Sequence, residues 1–95
     1  MKSIIQNEKE CYICHTKNNL HLHHIVFGKN RKKADEEGLT VYLCYWHHEG
    51  ADGVHGRCGH ELDLKLKKTA EKKWMEYYNK TQEDFIKRYG KNYLK

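Results

Sequence analysis

Apolar and polar positions alternate along Leu20-His21-Leu22-His23-His24-Ile25-Val26-Phe27, and the β-branched residues near its end predict a strand that closes at Gly28. Successive side chains of a strand point to opposite faces, so His23 and His24 face opposite ways. Leu39-Thr40-Val41-Tyr42-Leu43-Cys44 predicts a second strand, rich in β-branched and aromatic residues, that feeds a short helix opening at Tyr45-Trp46-His47-His48. The charged residues 29–38 connect the strands through a helical turn that Gly38 terminates. Residues 49–56 are Gly-rich and are expected to be irregular.

The period then changes. Leu62, Leu66, Ala70, Trp74 and Tyr78 recur at every fourth position, which is one stripe of an amphipathic helix over 61–78. Lys65, Lys67, Lys68, Lys72 and Lys73 fall on its polar side. A shorter packing helix follows: Thr81 caps it, Asp84 sits at the third helical position, and Phe85, Ile86 and Tyr89 precede a stopping Gly90. The pattern predicts one small α+β domain over 1–95, with a ββα core in 10–56 and a helical part in 61–95. No repeat, low-complexity stretch or linker divides it.

At 95 residues, with 38% hydrophobic and 33% charged positions, the chain has little apolar material to bury. Seven Tyr and two Trp nevertheless argue against a disordered chain. Eight His and four Cys point to bound metal, which supplies folding energy that a small core lacks. No apolar run reaches the roughly 20 residues of a membrane span, and the N-terminus lacks the apolar stretch of a signal peptide, so a cytosolic protein is expected. Disulfides are disfavoured there. A net charge of +5 favours a polyanionic partner without specifying one.

Cys11-x-x-Cys14 and Cys44-x-x-His47 are two knuckles of the kind that present four ligands tetrahedrally to a structural zinc ion. Burial of the cysteines as small apolar residues is the bland alternative. Cys58 lacks partner spacing and reads as a free loop cysteine, although Cys58-x-His60 offers a competing pair during folding. With His47 assigned, His23, His24, His48 and His55 remain around the same knuckle. A strand pair followed by a helix can bring His23 near His48 and His55, three imidazoles for a second divalent ion with positions left open for water or phosphate. His24, adjacent to a ligand but aimed elsewhere, is the natural general base. His15 and His21 have no assigned role and are expected to be exposed. Arg31, Lys32 and Lys33 either contact phosphate or form a solvated face, and the helical lysines either attract DNA nonspecifically or serve solubility.

These residues resemble the HNH, or ββα-metal, endonucleases: the Cys11–Cys14 pair, His23-His24-Ile25, and Leu43-Cys44-Tyr45-Trp46-His47-His48. The wider run through Asn30-Arg31-Lys32 and Gly53-Val54-His55-Gly56 is similar to small HNH proteins of phages and prophages, and more distantly to the RecA-dependent recombination-enhancement nucleases. The resemblance covers nearly the whole chain. It implies a ββα-metal, treble-clef-like core holding a structural zinc, with His23, His48 and His55 as ligands of a catalytic divalent metal (Mg²⁺, Mn²⁺, Ni²⁺ or Zn²⁺) and His24 as the base. It also implies a DNA endonuclease that hydrolyses phosphodiester bonds, acting on double-stranded DNA in a host bacterial cytoplasm. A recombination protein is a further expected partner, and a monomer the expected state. The family's middle Asn, which helps to orient the base, is missing: Gly38, Leu39 and Thr40 occupy its place, leaving that task to a backbone carbonyl or Thr40. The spacing from His48 to His55 is also longer than the family's. Two other readings compete: a non-catalytic zinc-stabilised nucleic-acid-binding module, which needs the zinc but not His24, and a small protein-interaction domain whose basic surface is incidental.

Overall fold

The computed structural model describes residues 2–50, 53–56 and 59–94. Cys58, read above as a free loop cysteine, lies outside the described residues. Among the described residues the chain forms strands β1 (Leu20–His24) and β2 (Thr40–Cys44) and helices α1 (Arg31–Glu36), α2 (Tyr45–His48), α3 (His60–Tyr78) and α4 (Gln82–Tyr89). It is a small α+β protein, and its 12.9 Å radius of gyration matches a compact chain of this length. No described helix is long and apolar enough to cross a membrane.

The strands pair antiparallel, with His21 opposite Leu43 and His23 opposite Val41. Directly opposed residues share a face, so both histidines stand on the face of Val41 and Leu43, which are fully buried. Pairing stops at His24, earlier than the alternation suggests. The chain adds one hydrogen bond, Ile25 N to Leu39 O, and then turns at Gly28 into a 3-10 turn (Gly28–Asn30) that leads into α1. Ile25 and Val26 are buried beyond the paired strand.

The outer edge of β2 would leave backbone groups unpaired. Residues 3–12 cover it: Ser3 Oγ donates to Thr40 O, Tyr42 N donates to Gln6 Oε1, and Tyr12 N donates to Tyr42 O. The sequence pattern placed the core in 10–56 and did not anticipate this strap. Gly38 lets it pass, because φ is +83° there and a Cβ would sit 2.7 Å from Lys2 O.

Helix α3 turns its predicted stripe into the core and packs against α4, with Leu66, Ala70 and Trp74 buried and Leu62 and Tyr78 partly buried against the core. Asn79, in the left-handed region, ends it. Thr81 and Asp84 form a reciprocal capping box at the start of α4, which buries Phe85 and Tyr89 while Ile86 stays exposed. Glu37 ties the two halves together. Its carboxylate accepts from Trp74 Nε1 (3.0 Å), Arg88 Nε (2.8 Å) and the Tyr89 hydroxyl, and its carbonyl from Tyr78 (2.9 Å). Burial opposes charge on this group, but the Arg88, Tyr89 and Trp74 donors hold its carboxyl below the ordinary value.

Candidate metal centres

The first cluster is assembled by two turns. Cys11 N donates to Thr16 O and His15 N to Cys11 O, folding the first knuckle so that Cys11 and Cys14 point the same way. Cys44 ends β2 and His47 lies in the single turn of α2, which follows without a break. Ligand atoms of Cys11, Cys14, Cys44 and His47 all lie within 4.8 Å of one another. His47 Nδ1 is 3.5 Å from Cys11 Sγ and 3.3 Å from Cys44 Sγ, and Cys14 Sγ is 3.8 Å from Cys44 Sγ. Tetrahedral zinc with bonds of about 2.3 Å to sulfur and 2.0–2.1 Å to nitrogen separates its ligand atoms by roughly 3.3–3.8 Å. The donor set and its spacing therefore fit such an ion. Burial raises the Cys11 thiol, yet hydrogen bonds from the backbone N–H groups of Cys14, Cys44 and Ile13 outweigh it and bring the pKa down to about 6. This ligand is already thiolate near neutral pH, the form that binds metal.

The second cluster begins one residue later in α2. His23, His48 and His55 bring one ligand atom each within 4.8 Å of the others. The long His48–His55 interval is taken up by a turn that folds back on α2: Gly53 N donates to Gly50 O, Val54 N to His47 O, and His55 N to His48 O. Gly59 closes it, since a Cβ there would lie 1.7 Å from Gly53 O. The His48 and His55 ring centres end up 4.6 Å apart, and His23 lies 5.3 and 5.5 Å from them.

His23 is buried and its Nε2 has no hydrogen-bond partner among the described residues. A buried nitrogen left alone is costly unless something occupies the space in front of it. Burial, then the neighbouring His48, His55, His24 and Lys67, depress its pKa to about 3. Burial and the His55 and His21 rings likewise hold His48 below its ordinary value. Both imidazoles thus keep free lone pairs at neutral pH. Three imidazole nitrogens in mutual reach, one of them without a partner among the described residues, fit a divalent cation of the borderline kind.

A cleft of about 300 Å³ opens over this trio, lined by Leu22, His23, His24, Phe27, Gly28, Arg31, His48 and His55. His24 stands on its wall, half-buried. Its Nδ1 donates to Asp35 Oδ1 (2.9 Å), and its Nε2 accepts from Arg31 Nη2 (3.0 Å). Among the described residues neither a backbone carbonyl nor Thr40 hydrogen-bonds the ring; Thr40 O instead accepts from Ser3. The candidate phosphate-binding residues diverge. Arg31 reaches His24, Lys32 lies exposed beside an open groove with Gly28 and Lys29, and Lys33 Nζ donates to Arg88 O at the end of α4.

Three further residues belong to the neighbourhood without having been assigned a role from the sequence. Asp35 is the first. His21, expected to be exposed, is half-buried with its Nδ1 3.0 Å from His48 Nδ1 and 3.8 Å from Glu49 Oε2. Its spacing of two from His23 on a strand was the available signal. Lys67, assigned to the polar side of α3, is drawn in over the Phe27 ring (4.7 Å) and pairs with Asp63 (2.8 Å). His15 is exposed and contacts Glu10. Comparison with known proteins adds no relative: no family model, curated protein or solved structure matches the chain.

Proposed function

We propose that the protein is a metal-dependent DNA endonuclease of the ββα-metal, or HNH, type. Cys11, Cys14, Cys44 and His47 would hold a structural zinc in a treble-clef-like core, and His23, His48 and His55 a catalytic divalent ion. The observation that carries this reading is a pair of adjacent histidines used twice. His47 and His48 point into different clusters, and His23 and His24 divide between the second cluster and the wall of its cleft. A purely structural zinc domain has no need of the second cluster or of a base beside it.

An ion held by His23, His48 and His55 would supply positive charge that stabilises the phosphate and the departing oxygen. The remaining chemistry belongs to the chain. His24 Nε2 takes a proton from water as the water oxygen bonds to phosphorus, and the bond to the departing sugar oxygen breaks, that oxygen taking a proton from solvent. Arg31 stands beside the same nitrogen and offers its guanidinium to the phosphate. Double-stranded DNA is the substrate proposed, with the exposed lysines of α3 as a diffuse attraction.

One observation favours a second reading, a non-catalytic zinc-stabilised nucleic-acid-binding module. Arg31 occupies the lone pair that a base needs. Incubation of supercoiled plasmid with the protein and with His24→Ala, in Mg²⁺, Mn²⁺, Ni²⁺ or EDTA, separates the two. The nuclease reading expects metal-dependent nicking that drops by about 10²–10⁴-fold in the variant while DNA binding persists. Folded, zinc-loaded protein that binds plasmid and never cuts it in any metal would favour the binding module.

A further inference from the structure

The neighbours of His24 carry more than its identity as a base, because they fix where its proton sits. A guanidinium is a donor only and stays charged at any relevant pH. Arg31 Nη2, 3.0 Å from Nε2, therefore requires a lone pair on that nitrogen. The ring proton must then be on Nδ1, where the Asp35 carboxylate accepts it at 2.9 Å. Arg31 Nε in turn lies 3.7 Å from Asp35 Oδ2, so one carboxylate holds both the ring and the ring's other partner. Arg31 and Asp35 are four residues apart on α1, one turn along the same face. The helix is thus a rigid arm carrying the two groups that orient the imidazole.

We propose that Asp35 is the positioning residue of His24. Its carboxylate keeps the ring in the Nδ1-protonated tautomer with Nε2 turned into the cleft, and balances the positive charge when Nε2 takes the proton. The Nδ1 proton stays on the ring throughout. Arg31 covers Nε2 in the free protein, and an incoming phosphate, a stronger partner for a guanidinium than a neutral imidazole, draws it aside. Asp35 thereby supplies from α1 the orienting group that the second strand, with Gly38, Leu39 and Thr40, does not supply. The catalytic part of this inference rests on the nuclease reading, whereas the tautomer part does not.

Long-range ¹H–¹⁵N correlation of the zinc-loaded wild type, with no second metal and at mildly alkaline pH, reads the tautomer directly. Protonated Nδ1 and unprotonated Nε2 on His24 are expected, with that preference lost in Asp35→Ala. A wild-type ring protonated on Nε2, or a tautomer indifferent to Asp35→Ala, overturns the proposal whether or not the protein cuts DNA. Single-turnover plasmid cleavage is the second arm, with wild type, Asp35→Ala, His24→Ala and the double variant. Asp35→Ala should lower the cleavage rate about 10–100-fold at unchanged DNA affinity and lower nothing further once His24 is gone. Additive losses in the double variant, or a loss confined to DNA affinity, would show that Asp35 does not act through His24. If the wild type never cuts, the nuclease reading fails and the tautomer measurement alone decides the role of Asp35.

Discussion

The two clusters draw on adjacent residues of α2, His47 and His48, and are built on opposite principles. In the first, three sulfurs and one nitrogen are the four donors that a tetrahedral zinc ion would use, which would leave no position for a substrate. The second has three nitrogens, one of them buried without a partner among the described residues, beneath an open cleft with a hydrogen-bonded imidazole on its wall. A saturated set of soft ligands favours stability, and an unsaturated set of imidazoles favours chemistry. Residues 47 and 48 divide one helical turn between these tasks. Anything that shifts α2 therefore disturbs both.

The largest expected effect lies in the first cluster. Cys44→Ala should abolish folding, because structural zinc supplies roughly 10–16 kcal/mol in zinc-finger peptides, as much as the whole stability of a typical domain. Collapse of amide dispersion in an NMR spectrum would register it, and a folded Cys44→Ala protein would erase the contrast between the clusters. His55→Ala is the counterpart in the second. It should keep the zinc and the fold, weaken uptake of the second ion, and lower plasmid cleavage by about 100-fold or more.

A smaller loss is expected away from both clusters. Glu37→Gln should weaken the clamp between the end of α1 and the C-terminal helices by about 1–3 kcal/mol in urea unfolding at neutral pH. The pH dependence should separate the regions further. His23 has its pKa depressed from 6.5 to about 3, so the unfolded chain binds the extra proton in that window. Its contribution is complete above pH 6.5 and declines as pH falls toward 3. Glu37 is depressed from 4.5, so its contribution persists to lower pH and is lost only as pH falls below 4.5 and through its folded value. Amide exchange followed during acidification should show the metal corner loosening before the Glu37 clamp, and the reverse order would contradict this assignment. The smallest effect is expected at His21, where Ala removes a partner of His48 and should reduce second-ion affinity about tenfold, leaving the zinc content unchanged.

Much of this arrangement was legible before folding. The four-residue period of α3, the Thr81–Asp84 capping box and the two Cys knuckles are local signals, and each element lies where its pattern placed it. What was not legible depends on tertiary approach. Asp35 reads as one charge in a solvated run until α1 is laid across the end of β1. Lys67 reads as solvent-facing until Phe27 arrives from the other half of the chain. The strap at 3–12 has no regular period, and its worth lies in the β2 edge that it satisfies. The clustering of the histidines along the chain was legible, whereas Asp35, the orienting group proposed above, lies outside the second strand, where such a group was sought.

The most direct test of two unlike metal centres is a cobalt titration of the metal-free protein followed by optical absorption. The first equivalent should bring a thiolate-to-cobalt charge-transfer band and the folded amide pattern. The second should bind more weakly, add no sulfur band, and be lost in His55→Ala. Saturation at one equivalent would contradict the account and leave a single metal centre, and a second equivalent indifferent to His55→Ala would contradict the placement of the second ion on the histidine trio.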